Sequence, residues 1–78
     1  MRKGGLNPVM PSGTVKYVGP EGSWGFISRD DKQPRVFLHV SEVQKVGIEV
    51  IEKGQRWTFD LKEGRDGRPA AINLQFEG

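Results

Sequence analysis

The sequence predicts an all-β domain, a single small sheet or barrel, and three features carry that expectation. From Gly13 onward, apolar runs of five or six residues alternate with turn clusters at regular intervals, the pattern of short strands joined by tight connections. The run Arg56-Trp57-Thr58-Phe59-Asp60-Leu61-Lys62 alternates polar and apolar side chains with period two, as a strand does with one face buried and one in water. No stretch repeats apolar residues at helical spacing for long enough to make an amphipathic helix.

The turn clusters place the elements. Gly19-Pro20-Glu21-Gly22, Asp30-Asp31-Lys32-Gln33-Pro34, Glu52-Lys53-Gly54 and Gly64-Arg65-Asp66-Gly67 are rich in residues that tolerate turn geometry. Five strands fit between and after them, over 13–18, 24–29, 35–40, 55–62 and 69–76. Residues 41–46 predict one short helical turn with Ser41 as its N-cap. Residues 1–12 mix Gly4, Gly5, Pro8 and Pro11 with scattered apolar side chains and no periodicity. They read as a flexible N-terminal arm, leaving 13–78 as the domain.

Size and composition exclude whole classes of function. A chain of 78 residues makes one domain and buries only about 60–65% of its unfolded surface, leaving no room for a large internal cofactor or a deep cleft. There is no cysteine and only one histidine, His39, so disulfides, thiolate zinc sites and histidine-rich metal sites are excluded; no metal and no cofactor are expected. Apolar runs fall far short of the roughly 20 residues that span a bilayer. No apolar block with a cleavage site follows Arg2 and Lys3. A cytoplasmic module that is monomeric and does not engage membranes is the expectation. Lys and Arg total 12 against 10 Asp and Glu, a formal +2. Residues 1–40 carry six basic and three acidic side chains and residues 41–78 six and seven, so any electrostatic footprint should lie on the first half.

Alternation then sorts the rings. Trp57 and Phe59 fall on the buried side of their strand. In Val36-Phe37-Leu38-His39-Val40 the aliphatic side chains share one face, with Phe37 and His39 on the other. Trp24 and Phe26 likewise oppose Ile27. If the aliphatic sets form the core, Trp24, Phe26, Phe37 and His39 converge on the outer surface of two neighbouring strands, and Tyr17 of the first strand can join them. Such a cluster is costly in water unless it binds something. Flat rings along a sheet suit single-stranded nucleic acid, because every base has a π-face to stack, each worth about 1–3 kcal/mol. Lys16 beside Tyr17 can supply a phosphate contact, with Arg29 and Arg35 near the rim. Alternation alone fits the core of a two-layer sandwich as well, although no helix or second sheet is large enough to cover that face.

These residues resemble a known family. Gly13-Thr14-Val15-Lys16-Tyr17, Ser23-Trp24-Gly25-Phe26-Ile27 and Val36-Phe37-Leu38-His39-Val40 are similar to the bacterial cold shock proteins and the cold-shock domain, whose motifs read K-G-F-G-F-I and V-F-V-H-F. Gly54-Gln55, Asp66-Gly67-Arg68-Pro69-Ala70 and Asn73-Leu74 resemble the family's later elements, so the likeness covers about 13–75. It implies a five-stranded antiparallel Greek-key barrel of the oligonucleotide-binding (OB-fold) type. It also implies a protein that binds single-stranded RNA and DNA and melts weak secondary structure as a chaperone without ATP. Carried over, Tyr17, Trp24, Phe26, Phe37 and His39 fall on the family's stacking positions, Lys16 on its basic contact and Arg68 in the loop bordering its groove.

The departures bear on strength. Tyr17 stands for a tryptophan and Val18 for a phenylalanine; Gly22 and Ser23 replace a lysine and a glycine. Val40 and Ile48 occupy positions often aromatic, and Trp24 enlarges one ring. Retained but weaker binding over a shorter footprint is expected. An enzyme is not: there is no Cys nucleophile, His39 is alone, and Asp30 with Asp31 lies in a turn. No Gly-rich segment ends in the Gly-Lys-Ser/Thr of a phosphate loop. The rival reading is a protein-interaction barrel with weakened or lost nucleic-acid binding.

Overall fold

Strands form where the apolar runs place them, within a residue or two. A computed structural model describes residues 10–64 and 67–78. In it β1 spans Ser12–Val18, β2 Trp24–Arg29, β3 Val36–His39, β4 Arg56–Glu63 and β5 Pro69–Phe76, with a single 3-10 turn at Pro20–Gly22 and a short helix α1 at Val40–Gln44. Residues 1–9 of the expected arm, with Arg2 and Lys3, and Arg65 and Asp66 of the last turn cluster lie outside the described residues.

The strands close into a barrel in the order β1-β2-β3-β5-β4. Four of the pairings are antiparallel, but β3 and β5 run parallel, matched through Phe37 and Ala70. The expected Greek-key barrel is therefore present, and its wholly antiparallel character is corrected to a mixed sheet. The reason is parity. Directions that alternate up and down around a closed ring can match only if the ring has an even number of members. Five strands leave one pair pointing the same way.

Two irregularities decide which side chains face inward. On β1, Val15 pairs with Ile27 but Tyr17 already pairs with Phe26, so Lys16 is an extra residue in the ladder. A bulge of this kind reverses the inside–outside alternation beyond it. Val15 is buried while Tyr17, two residues on, is exposed. On β5, Thr58 faces Gln75 and Asp60 faces Ile72, leaving one extra residue on the β5 side. Asn73 takes a left-handed φ of 52° there, a conformation Asn tolerates better than most residues. Ala71 and Leu74, three apart, are consequently both buried.

The interior is filled by Val15, Ile27, Val36, Leu38, Val43, Ile51, Trp57, Phe59, Ala71 and Leu74. Trp57 and Phe59 are fully buried as alternation requires, and truncating either to Ala should cost about 3–5 kcal/mol. Leu61, assigned inward by the same alternation, is exposed. It pairs with Ala71, itself buried, near the far end of the β4–β5 ribbon, one residue before Lys62 and Glu63 meet Ala70 and Pro69, and so lies at the edge of the buried cluster. The helix also differs from expectation. It begins at Val40, and its N-cap is His39, whose ring accepts a hydrogen bond from the Ser41 amide. Ser41 is thus inside the helix and is not its cap.

One polar cluster ties three strands together at their ends. Arg56 at the start of β4 donates to both carboxylate oxygens of Asp30, at 2.6 and 3.3 Å, and to the Thr14 hydroxyl at 2.7 Å. Ser12 of β1 donates to Asp30 at 3.1 Å. The hydrogen bond from Arg56 is the main cause holding the Asp30 carboxyl below its ordinary value of 3.8; the Ser12 bond and the Arg56 charge act in the same direction and desolvation opposes them. Asp31 is lowered likewise, first by its hydrogen bond from Arg29.

Two outcomes are expected. Because both folded-state pKa values are depressed, their contribution to stability is complete above the ordinary carboxylate range and lost as pH falls through it. Thermal midpoints should hold above about pH 5 and decline below it, and Asp30→Asn should make that acid decline shallower in melts across the range. At the β5 bulge, Asn73→Gly should be tolerated, whereas Asn73→Val should cost about 1–2 kcal/mol in denaturant unfolding, because a β-branched residue resists the left-handed backbone.

Candidate nucleic-acid interface

With the aliphatic side chains inside, the rings on the other face of β1–β3 are left outside. Registers place Tyr17 opposite Phe26, Phe26 opposite Phe37 and Phe37 opposite Ala70, with Ala70 opposite Lys62. One transverse row therefore crosses all five strands. A second, shorter row pairs Trp24 with His39. Ring centroids lie 5.5 Å apart for Tyr17 and Trp24, 6.4 Å for Tyr17 and Phe26, 5.7 Å for Phe26 and Phe37, and 6.5 Å for Phe37 and His39. Trp24 and Phe37 are within 24° of parallel at 6.5 Å. The surface reading of these rings stands, and the sandwich-core reading is set aside.

Tyr17 is 53% exposed and Trp24, Phe26 and Phe37 are half-buried, so each ring is seated on its neighbours and still open on one side. The Lys16 bulge brings Tyr17 to this side and leaves Lys16 itself exposed beside it. His39 has one ring nitrogen committed. Its Nδ1 accepts from the Ser41 amide at 3.0 Å and sits 2.9 Å from the Ser41 hydroxyl. A backbone amide can only donate, so the neutral ring carries its proton on Nε2. The cap of α1 thereby fixes which hydrogen-bonding group the ring can still offer.

The basic residues divide in a way that sequence alone does not show. Arg29 is held by Asp31 at 3.0 and 2.5 Å, so the expectation that it serves the rim is not supported. Arg35 lies over the Phe26 ring, 4.6 Å from its centroid, within the range of an attractive cation–π contact. Arg68 is exposed and lines an open cavity of about 620 Å³ with Phe26, Phe37, Lys62, Glu63, Gly64 and Ala70. Lys62 and Ala70 were not singled out from sequence. The outward parity of Lys62 was legible, but Ala70 shares the parity of buried Leu74 in the sequence and faces out only because of the Asn73 bulge. The nearness of both to Phe37 depends on β5 lying beside β3, which no local pattern encodes.

The positions lacking a family ring or lysine have structural explanations. Val18, Val40 and Ile48 are partly buried and packed against the core, so they fill space below the platform. Gly22 is buried with φ of +68°, and a Cβ there would come within 2.9 Å of Val50 and 3.0 Å of the Ile51 carbonyl. A lysine does not fit at that point in this backbone. Among the described residues no cluster could hold a metal ion, and no helix is long and apolar enough to cross a membrane.

Trp24 depends on a neighbour too. Its indole lies against Gly19, where an added Cβ would collide with the ring atoms, and the Gly19 amide donates to the Trp24 carbonyl at 2.8 Å. Gly19→Ala should therefore push the indole off its seat. The expected readout is a change in the maximum and quenching of Trp24 emission in a Trp57→Phe background, compared with the same background carrying Gly19.

Comparison with known proteins agrees with this geometry. The profile of the "'Cold-shock' DNA-binding domain" family matches residues 11–76, the whole barrel. The chain is 43% identical over 65 residues to the major cold shock protein of Streptococcus pyogenes serotype M6, covering 83% of this chain and 94% of that one. It is 42% identical over 65 residues to the cold shock protein ScoF of Streptomyces coelicolor, with 83% and 96% covered. With the cold shock-like protein of Aquifex aeolicus it shares 38% over 66 residues, 85% and 93% covered. A barrel of this strand order, with this aromatic face and these relatives, belongs to the cold-shock domain family, a family of binding domains and not of enzymes.

Proposed function

We propose that this protein binds single-stranded nucleic acid, RNA or DNA, by stacking bases on the outer aromatic face of β1–β3, and that it serves as an ATP-independent nucleic-acid chaperone, acting as a monomer in the cytoplasm. The observation that carries the reading is the row Tyr17–Phe26–Phe37 with Trp24 and His39 beside it, rings about 5.5–6.5 Å apart on the outside of a barrel whose inside is full. Stacking interactions accept any base, whereas a duplex keeps its bases paired and stacked on each other. A surface of this kind therefore favours strands already open or transiently opened, which is the physical basis of chaperone action without an energy source.

In this reading Tyr17, Trp24, Phe26, Phe37 and His39 stack or contact bases, Lys16 meets phosphate at one end and Arg68 at the other. The interface is modest, because Val18, Val40 and Ile48 add no rings to it. A shorter footprint and weaker affinity than in a relative with those rings follow.

The test is a titration of Trp24 fluorescence with short oligothymidine, with Trp24→Phe as the control for Trp57 emission. Saturable change is expected, with log affinity falling against log salt at about −0.7 per neutralised phosphate. Phe26→Ala and Phe37→Ala should each weaken binding roughly 5- to 150-fold, the equivalent of one stacked base. No change at tens of micromolar oligonucleotide, or a salt-independent response, would turn the reading toward an apolar protein-binding face.

A further inference from the structure

The transverse row does not stop at the last ring. From Phe37 it passes over the parallel β3–β5 seam to Ala70 and then to Lys62 on β4. Ala70 is the smallest side chain in the row, so the surface dips between Phe37 and Lys62. That dip is the cavity of about 620 Å³ walled by Phe26 and Phe37 on one side and by Lys62 and Arg68 on the other, within the roughly 300–1,000 Å³ of small-molecule sites.

Its lining carries cationic side chains beside the rings. Among the described residues, Lys62 and Arg68 line it with one carboxylate, Glu63, and Arg35 sits over the neighbouring Phe26 ring. An apolar floor with an aromatic wall suits a base, and a basic wall suits a phosphate. The two together, in line with the ring row, match one nucleotide of a strand already lying on the rings.

We infer that the strand path continues across the barrel seam onto β4, where this pocket takes one more nucleotide, its base against Phe37 and Phe26 and its phosphate on Lys62 with Arg68. Lys62 is thus a phosphate-binding residue on the strand farthest along the row from Tyr17, and it supplies part of the positive charge that Gly22 cannot. The inference rests on the stacking reading above and extends its footprint by one subsite.

A length series of oligothymidines tests it, titrated at two salt concentrations against wild type, Lys62→Glu, Lys62→Gln and Lys62→Arg. Lys62 is exposed, so the thermal midpoint of each variant should match wild type. In wild type, affinity should rise roughly 5- to 150-fold at the length that reaches the pocket. Lys62→Glu and Lys62→Gln should abolish that step, lower the salt slope by about 0.7 for the longer strands, and leave the shortest binding strand unaffected; Lys62→Arg should restore the step. Equal affinity and slope for wild type and Lys62→Glu at every length would overturn the inference while leaving stacking intact. So would an equal loss at every length, which marks a general field effect. Absence of binding by wild type at any length would remove the stacking reading and this subsite together.

Discussion

The interior of this barrel has a fixed capacity, and the surface is arranged around that limit. Among the described residues ten side chains fill it, two of them the large rings of Trp57 and Phe59. Trp57 is accommodated although its indole N–H finds no hydrogen-bond partner among the described residues, at a cost of about 1–3 kcal/mol for a buried orphan donor. Once those places are taken, alternation along β2 and β3 sends every second side chain outward, and on these strands most of the outward positions carry rings: Trp24, Phe26, Phe37 and His39. Exposed rings are thus the direct counterpart of a small, saturated core. They support one another edge-on and in near-parallel pairs, which lowers but does not remove the cost of leaving them in water.

Much of this was legible in the residues. Turn clusters marked strand ends closely, and period-two alternation separated Ile27, Val36 and Leu38 from Trp24, Phe26 and Phe37. What escaped was non-local or broke the period. Alternation assigns Leu61 inward because it carries no information about where the core ends. It would assign Tyr17 inward with Val15 were it not for the Lys16 bulge, which only the pairing with β2 reveals. The helix start was misplaced because His39, not one of the usual short polar caps, holds the Ser41 amide. The parallel seam was invisible for a different reason: it follows from strand order, and strand order follows from how the whole ring closes.

Charge counting was similarly incomplete. The formal excess in the first half of the chain suggested a basic face, yet Arg29 is neutralised by Asp31 next to it, and Arg56 is committed to Asp30 and Thr14. The Arg56 cluster knits the ends of β1, β2 and β4, the Arg29 pair closes the end of β2, and neither has a part in the aromatic row. The cations near the rings are Lys16, Arg35, Lys62 and Arg68, drawn from both halves of the sequence. A sum over residues could not distinguish the charges tied to carboxylates at the strand ends from those placed beside the rings.

The single parallel pairing can be described as frustration in a ring of odd size, like five alternating spins on a circle that cannot all oppose their neighbours. The mismatch cannot be removed, only located. Here it falls between β3 and β5, where the described ladder shows a lone matched pair, Phe37 with Ala70, and so few cross-strand bonds. Any molecule that spans Phe37 and the β4–β5 hairpin supplies from outside a brace that topology denies from within. Occupancy of this face should then be felt as closure of the barrel, with amide protection gained first along the seam and only afterwards in the strands that were already fully paired.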